Sequence, residues 1–156
     1  MALSTGDQAP NFSLYDTEKT LVSLDDFRGR NVLLLFFPLA FSSVCTVELC
    51  SVRDDITRYN GLNAQVLGIS IDSLYVLKEF RKAQHLNFPL LSDFNKNVSK
   101  AYDCLYETFS YGMKGVSKRS AFIIDKNGTV VYNEVLENAG LQPNFEAINK
   151  LLEHLH

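Results

Sequence analysis

One stretch of the chain, residues 31–53, most constrains how it can fold, because an apolar run, a proline and an amphipathic segment follow one another there. Val32–Phe37 is continuously apolar, Pro38 interrupts it, and a helical pattern begins after Ser42 and Ser43. A short apolar run bounded by a proline is typical of a buried strand, so these residues are expected to form strand, loop and helix. Cys45 then lies in the first turn of the predicted helix.

The predicted position of Cys45 favours a reactive thiol. The first N–H groups of a helix lack intrahelical partners, and together with the helix macrodipole they favour a negative charge. Such a site favours the thiolate, which is the nucleophilic form of cysteine. The alternative is that Cys45 is a small buried hydrophobic residue, as free cysteines often are. The neighbours Pro38, Ser42 and Glu48 favour the reactive interpretation.

These residues carry a resemblance to a known family. Pro38, Ser42 and Cys45 match the signature P-x-x-x-[T/S]-x-x-C, and nearly the whole chain resembles the peroxiredoxins, thiol peroxidases with a thioredoxin-like fold. The strings F-F-P-L-A-F-S-S-V-C and F-P-L-L-S-D-F are most similar to the alkyl hydroperoxide reductase E type. Cys50 is instead similar to the second cysteine of the bacterioferritin-comigratory or Q type, in which a C-x-x-x-x-C pair shares one helix. The resemblance implies reduction of hydrogen peroxide and organic hydroperoxides by the Cys45 thiolate.

Composition sets the class of protein. The 156 residues are 46% hydrophobic and 21% charged, which suits a single globular domain over residues 1–156. The net charge of −3 gives no reason to expect a nucleic-acid partner. The first ten residues lack a secretory-signal pattern, and the longest apolar run is too short to span a membrane. We therefore expect a cytoplasmic protein without a membrane partner.

The cysteine and histidine counts indicate no metal centre. Three cysteines do not suit a disulfide framework and are compatible with a reducing compartment. His85, His154 and His156 are not spaced with the cysteines as in a zinc motif, so neither a metal nor another cofactor is expected.

The order of predicted elements indicates an α/β fold. We expect two short strands and a helical turn near residues 25–27, strands over 32–37, 66–71, 120–125 and 129–136, and helices over 44–59, 73–84, 95–102 and 144–155. Alternating strands and helices predict a parallel core, and the turn sequence D-K-N-G predicts a final hairpin. The expected fold class is therefore a central mixed β-sheet flanked by helices on both faces, the thioredoxin-like plan.

A peroxidase site needs donors around the breaking O–O bond, because negative charge develops on the departing oxygen. The hydroxyl of Ser42 and the N–H groups that begin the helix are candidate donors. Arg119, immediately before the predicted strand 120–125, matches the arginine that the family places there. The resemblance implies that it stabilises the thiolate and holds the peroxide, whereas the alternative is a surface arginine. Glu48 shares the helical face of Cys45 and could orient Arg119 through a bidentate pair, or could be a solvated acid.

Cys50 raises the question of recycling. Cα atoms five residues apart in a helix are separated by about 8.6 Å. A disulfide needs less than about 7 Å, so bonding Cys50 to Cys45 requires local unwinding. The resemblance favours a resolving role for Cys50, while a silent buried cysteine remains the alternative, and Cys104 is expected to be packing. A one-cysteine cycle and a two-cysteine cycle are both compatible with these residues.

The implied partners are a hydroperoxide and a thioredoxin or glutaredoxin-like reductant. Similarity to the E type suggests a homodimer, although many Q-type relatives are monomers. Two other functions compete with the peroxidase. A thioredoxin-type disulfide reductase needs C-x-x-C at the helix start, where this chain has Glu48. A non-catalytic thioredoxin-fold binding module would carry a Cys45 thiol of ordinary reactivity.

Overall fold

The apolar run before Pro38 forms the central strand of a five-stranded sheet in the computed structural model, which describes residues 3–155. The strands are β1 (Ser13–Tyr15), β2 (Leu21–Ser23), β3 (Asn31–Phe36), β4 (Ala64–Ser70), β5 (Leu90–Ser92), β6 (Ser120–Ile124) and β7 (Val130–Val135). The helices are α1 (Ser43–Asp54), α2 (Ile56–Gly61), α3 (Leu74–Ala83), α4 (Asn97–Ala101) and α5 (Phe145–Leu155), with 3-10 turns at Leu24–Phe27 and Ser110–Gly112.

The sheet is mixed, as expected. Its strand order is β5-β4-β3-β6-β7, with β3, β4 and β5 parallel and β6 antiparallel to both β3 and β7. Leu34 of β3 pairs with Leu67 on one side and Phe122 on the other, so this strand is hydrogen-bonded along both edges. The hairpin β1-β2 forms a separate two-stranded sheet.

Alternation along β3 builds two hydrophobic cores. Leu33 and Leu35 face a core shared with buried residues of α1, α3 and α5, and Leu34 and Phe36 face a second core with residues of β2, α4 and β6. Successive side chains of a strand point to opposite faces, so one apolar strand can supply both. The expected arrangement of helices on both faces is therefore confirmed.

The prediction of one helix over residues 44–59 was wrong. α1 ends at Asp54, Asp55 leaves the helical conformation at φ −112° and ψ 13°, and α2 begins at Ile56. The side chain of Asp55 accepts a 3.1 Å contact from Arg58 Nε, and aspartate is a weak helix former. After this break, the ring of Tyr59 is buried in the core.

Among residues 3–155, no helix combines the length and apolar character needed to cross a membrane.

Candidate active site

The loop between β3 and α1 places Cys45 at the carboxyl end of the central strand. Phe37 N donates to Ile69 O of β4, and Ala40 N donates over 2.8 Å to Oδ2 of Asp72, which follows β4. These two hydrogen bonds fix the first part of the loop against β4 and the residues after it. α1 begins at Ser43, and Cys45 is its third residue. The thiol therefore lies in the first helical turn, as expected, and it is fully buried.

Arg119 is buried against this thiol rather than exposed at the surface. Its Nη2 donates to Cys45 Sγ over 3.3 Å, and its Nη1 donates to Glu48 Oε1 over 2.6 Å. Its Nε donates to the carbonyl oxygen of Ala139 over 3.1 Å. The guanidinium is thus held from three sides, with one nitrogen on the sulfur.

Glu48 is also fully buried, which excludes the alternative of a solvated helix acid. The expected bidentate pair with Arg119 is wrong, because only Oε1 contacts the guanidinium and the buried Oε2 has no hydrogen-bond partner among the described residues. The two carboxylate oxygens therefore differ in environment.

Burial and charge act against each other in this pair. Burial raises the pKa of Glu48 to about 7, although the positive charge of Arg119 acts in the opposite direction. For Arg119, burial disfavours the charged form, but the nearby groups Cys45 and Glu48 outweigh it and raise the pKa of the guanidinium. Arg119 therefore stays positively charged beside the sulfur.

Ser42 makes a different contact from the one expected. Its hydroxyl is exposed and donates to the carbonyl oxygen of Leu39 over 2.8 Å instead of to Cys45. Its own carbonyl oxygen accepts hydrogen bonds from the backbone N–H and the hydroxyl of Thr46. In this conformation Ser42 starts α1 through its backbone.

A cleft of about 590 Å³ opens beside Arg119. Pro38, Ser42 and Val44 line it from the loop and the start of α1, and Tyr106 lines it from a distant part of the chain. The Tyr106 hydroxyl donates to Glu137 O over 2.9 Å, which ties this part of the lining to the segment after β7. Cys45 is fully buried and does not line the cleft, whereas its chain neighbour Val44 and its hydrogen-bond partner Arg119 do.

The comparisons with known proteins agree with this geometry. Residues 5–133 match the model of the AhpC/TSA family. The chain is 41% identical over 131 residues to a Mycobacterium tuberculosis protein assigned to the peroxiredoxins, covering 83% of each chain. It is 38% identical over 131 residues to the bcp protein of Haemophilus influenzae, also assigned as a peroxiredoxin, covering 83% of this chain and 84% of that one. The chain belongs to the peroxiredoxins.

Solved structures support the same fold for this peroxiredoxin. Peroxidoxin BcpB of Mycobacterium tuberculosis superposes with a TM-score of 0.85 at 26% identity, over 97% of both chains. Peroxiredoxin Q of Xanthomonas campestris gives a TM-score of 0.81 at 26% identity, over 92% of this chain and 90% of that one. The thioredoxin-like fold is thus confirmed, and the relatives named here support the bcp or Q type.

Peroxiredoxins are thiol peroxidases, and this peroxiredoxin is accordingly a thiol-dependent peroxidase that acts on hydroperoxides. The competing functions, a disulfide reductase and a non-catalytic binding module, are not favoured by these relatives.

The other two cysteines lie apart from the Arg119 contact. Cys50 is half-buried farther along α1, and its thiol donates to Gln84 Oε1 over 3.5 Å. Cys104 is buried in the second core, on the opposite face of the sheet from Cys45, where burial raises the pKa of its thiol to about 12. The environment of Cys104 is that of a packing residue.

Sequence reasoning missed the carbonyl of Ala139 and the part of the cleft lining formed by Tyr106. A backbone carbonyl leaves no signal in the residue type, and an aromatic residue in an irregular segment is more often part of ordinary packing than of a binding surface. Among residues 3–155, no group of three or more histidine, cysteine, aspartate and glutamate side chains is placed to hold a metal ion.

Proposed function

We propose that Cys45 is the nucleophile of this peroxiredoxin and that Arg119 is the cation that activates it. The 3.3 Å contact between Arg119 Nη2 and Cys45 Sγ carries this proposal. An adjacent guanidinium and the first turn of α1 both stabilise a negative sulfur. Glu48 and the carbonyl oxygen of Ala139 act as positioning groups, because they hold the guanidinium in that orientation.

The proposed reaction transfers one oxygen to the sulfur. The Cys45 thiolate attacks the terminal oxygen of a hydroperoxide, the O–O bond breaks, and Cys45 becomes a sulfenic acid. The other oxygen departs as hydroxide or alkoxide and takes a proton from water. Arg119 lies where it can stabilise the charge on that oxygen as the bond breaks.

The substrate reaches the sulfur through the cleft. Pro38 and Val44 contribute apolar surface to the lining of this cleft. The cleft is large enough for organic hydroperoxides as well as hydrogen peroxide. Because Cys45 is fully buried, a small opening of the loop before α1 must accompany entry. Ser42 lines the same cleft, so its hydroxyl can donate to the peroxide once it leaves the Leu39 carbonyl.

Substitution of the nucleophile tests the proposal. Cys45→Ser should abolish peroxide consumption with dithiothreitol as reductant, while Cys104→Ala retains it. Full activity of Cys45→Ser would refute the assignment. Circular dichroism of both variants checks that each remains folded.

For recycling we propose that Cys50 is the resolving cysteine. Its thiol attacks the Cys45 sulfenic acid, forming a disulfide and releasing water, and a dithiol protein such as thioredoxin or a glutaredoxin-like partner then reduces the disulfide. Both sulfurs belong to α1, so disulfide formation requires the start of the helix to unwind. Similarity to proteins of the bcp and Q types supports this role.

We further propose that residues 1–156 act as a single domain, possessing two cores on one sheet, and that the chain forms a homodimer. Exposed apolar side chains near the cleft support a dimer: Phe41, Tyr111 and Leu141. A cytoplasmic location fits three cysteines that are all unpaired. Sedimentation velocity tests the dimer, and fractionation of cells that express the chain tests the location.

A further inference from the structure

A second cavity, of about 660 Å³, lies between the β1-β2 hairpin, the first turn of α3 and α4. It shares no lining residue with the cleft beside Arg119, so it is separate from the peroxidase site. Its volume falls within the range of about 300 to 1,000 Å³ that is usual for small-molecule sites.

Aromatic side chains from three segments of the chain surround this cavity. Phe12 is buried at its base, and the rings of Tyr15, Tyr75 and Phe94 stand at its rim. Tyr75 and Phe94 are 66% and 63% exposed, although large aromatic residues usually bury most of their surface. A planar ligand between these rings would cover apolar surface that is now in contact with water.

Most polar groups of the lining already have partners. Asp93 is the only charged residue in the described part of the chain that lines the cavity, and its two carboxylate oxygens accept hydrogen bonds from Val98 N and Ser99 N at the start of α4. The hydroxyl of Ser73 accepts a bond from Val76 N, and that of Ser92 donates to a backbone carbonyl. The lining therefore offers no free charge to a ligand.

One cation, Lys19, contacts a ring of the rim although it does not line the cavity. Lys19 Nζ is 5.8 Å from the centroid of the Tyr75 ring, where it interacts with the face of that ring. Asn95 and Asn97 also line the cavity, and their amides have no side-chain hydrogen bond to any other described residue. These amides can bind a hydroxyl or amine group of a ligand.

We propose that this cavity is a binding site for a neutral aromatic small molecule with two or three rings and one hydrogen-bonding group. The aromatic rim matches the rings, the asparagine amides match the polar group, and the absence of a lining cation disfavours an anionic ligand. The inference does not depend on the roles proposed for Cys45 and Arg119.

Two fluorescent probes that share the same rings test the chemical class. N-phenyl-1-naphthylamine is neutral, whereas 8-anilinonaphthalene-1-sulfonate adds one negative charge. With the reduced wild-type protein, we expect the neutral probe to saturate with a Kd of about 10 µM and the anionic probe to bind about tenfold more weakly. Equal or tighter binding of the anionic probe would overturn the proposal, as would no saturable binding of the neutral one.

Alanine variants test the location. Tyr75→Ala and Phe94→Ala remove exposed rings, so the fold should tolerate them, and each should raise the Kd of the neutral probe about fivefold. Tyr111→Ala is the matched control, since it removes a fully exposed ring that does not line the cavity, and it should leave the Kd unchanged.

Two further results would contradict this location. Phe109 lines the cleft beside Arg119. If Phe109→Ala weakens binding of the neutral probe while Phe94→Ala does not, the probe occupies the peroxidase cleft. If probe binding falls as protein concentration rises and sedimentation shows a dimer, a second copy covers the aromatic rim instead. Either result overturns the proposal, whereas peroxidase activity in these variants has no bearing on it.

Discussion

Arg119 Nη2 lies 3.3 Å from Cys45 Sγ, although the two residues are 74 positions apart in the chain. The strand pairing between β3 and β6 creates this contact, because Ser120 pairs with Phe36 at the end of β3 from which the Cys45 loop departs. The residue before Ser120 is thereby brought beside the start of α1. A cation and a thiol at distant positions become one site through the sheet register.

Removal of the Arg119 charge should slow the attack on peroxide. We expect Arg119→Gln to lower the second-order rate constant for hydrogen peroxide by about 100-fold, the usual effect of losing a group that stabilises developing charge. Stopped-flow measurement of sulfenic acid formation checks this. The substitution also leaves buried Glu48 without its partner, so stability must be measured separately.

The double variant Arg119→Gln with Glu48→Gln separates these effects. It removes both charges, so it should recover stability relative to Arg119→Gln but not the rate constant. Recovery of the rate in the double variant would show that Arg119 acts only by supporting the structure.

Glu48 should make stability depend on pH. Its pKa is raised from 4.5 to about 7 in the folded protein, so the folded state holds this proton more tightly than the unfolded chain does. The associated stability is fully present below pH 4.5 and is lost as pH rises through about 7. The free energy of unfolding should fall by about 3 kcal/mol over this range, because each pKa unit corresponds to about 1.36 kcal/mol.

Urea unfolding of wild type and Glu48→Gln between pH 4.5 and 8 measures this effect. The difference in unfolding free energy should move in favour of Glu48→Gln as pH rises. Glu146→Gln is the control, because its side chain is an exposed helix acid and should leave the pH dependence as it is in wild type. A difference between Glu48→Gln and wild type that stays constant over the range would contradict the prediction.

Cys50 should decide the product of peroxide treatment. After one equivalent of hydrogen peroxide, intact wild-type protein should lose two hydrogens in mass spectrometry, as an internal disulfide requires. Cys50→Ser should instead accumulate the sulfenic acid of Cys45. Sulfenic acid in both proteins would indicate a one-cysteine cycle.

Cys104 should be unreactive in the folded protein. Burial raises the pKa of its thiol to about 12, and the residue has no exposed surface. At pH 8, iodoacetamide should modify half-buried Cys50 but leave Cys104 unmodified until urea unfolds the chain. Peptide mapping by mass spectrometry reads out both positions, and early modification of Cys104 would contradict its placement in the core.

Most of the order of elements could be predicted because it depends on local patterns, although the short strand β5 was not among the predicted strands. The strand before Pro38, the hairpin at Asp125–Gly128 and the last helix all follow from hydrophobic periodicity and turn residues. The break at Asp55 could not be predicted in this way. Aspartate is a weak helix former, but one aspartate does not interrupt the apolar stripe, so the pattern predicted a single helix where the chain leaves the helical conformation at Asp55.

In the site, too, features that depend on neighbouring residues could be predicted, whereas contacts between distant residues could not. The sequence by itself determined that Cys45 lies in the first turn of a helix after a buried strand, because a proline and an apolar stripe act over a few neighbouring residues. Only the tertiary structure decided that Arg119 contacts the Cys45 sulfur and that Glu48 binds Arg119 through a single carboxylate oxygen. It also decided that the Ser42 hydroxyl donates to the carbonyl oxygen of Leu39. Those contacts join residues through strand register and side-chain packing, which depend on the whole chain.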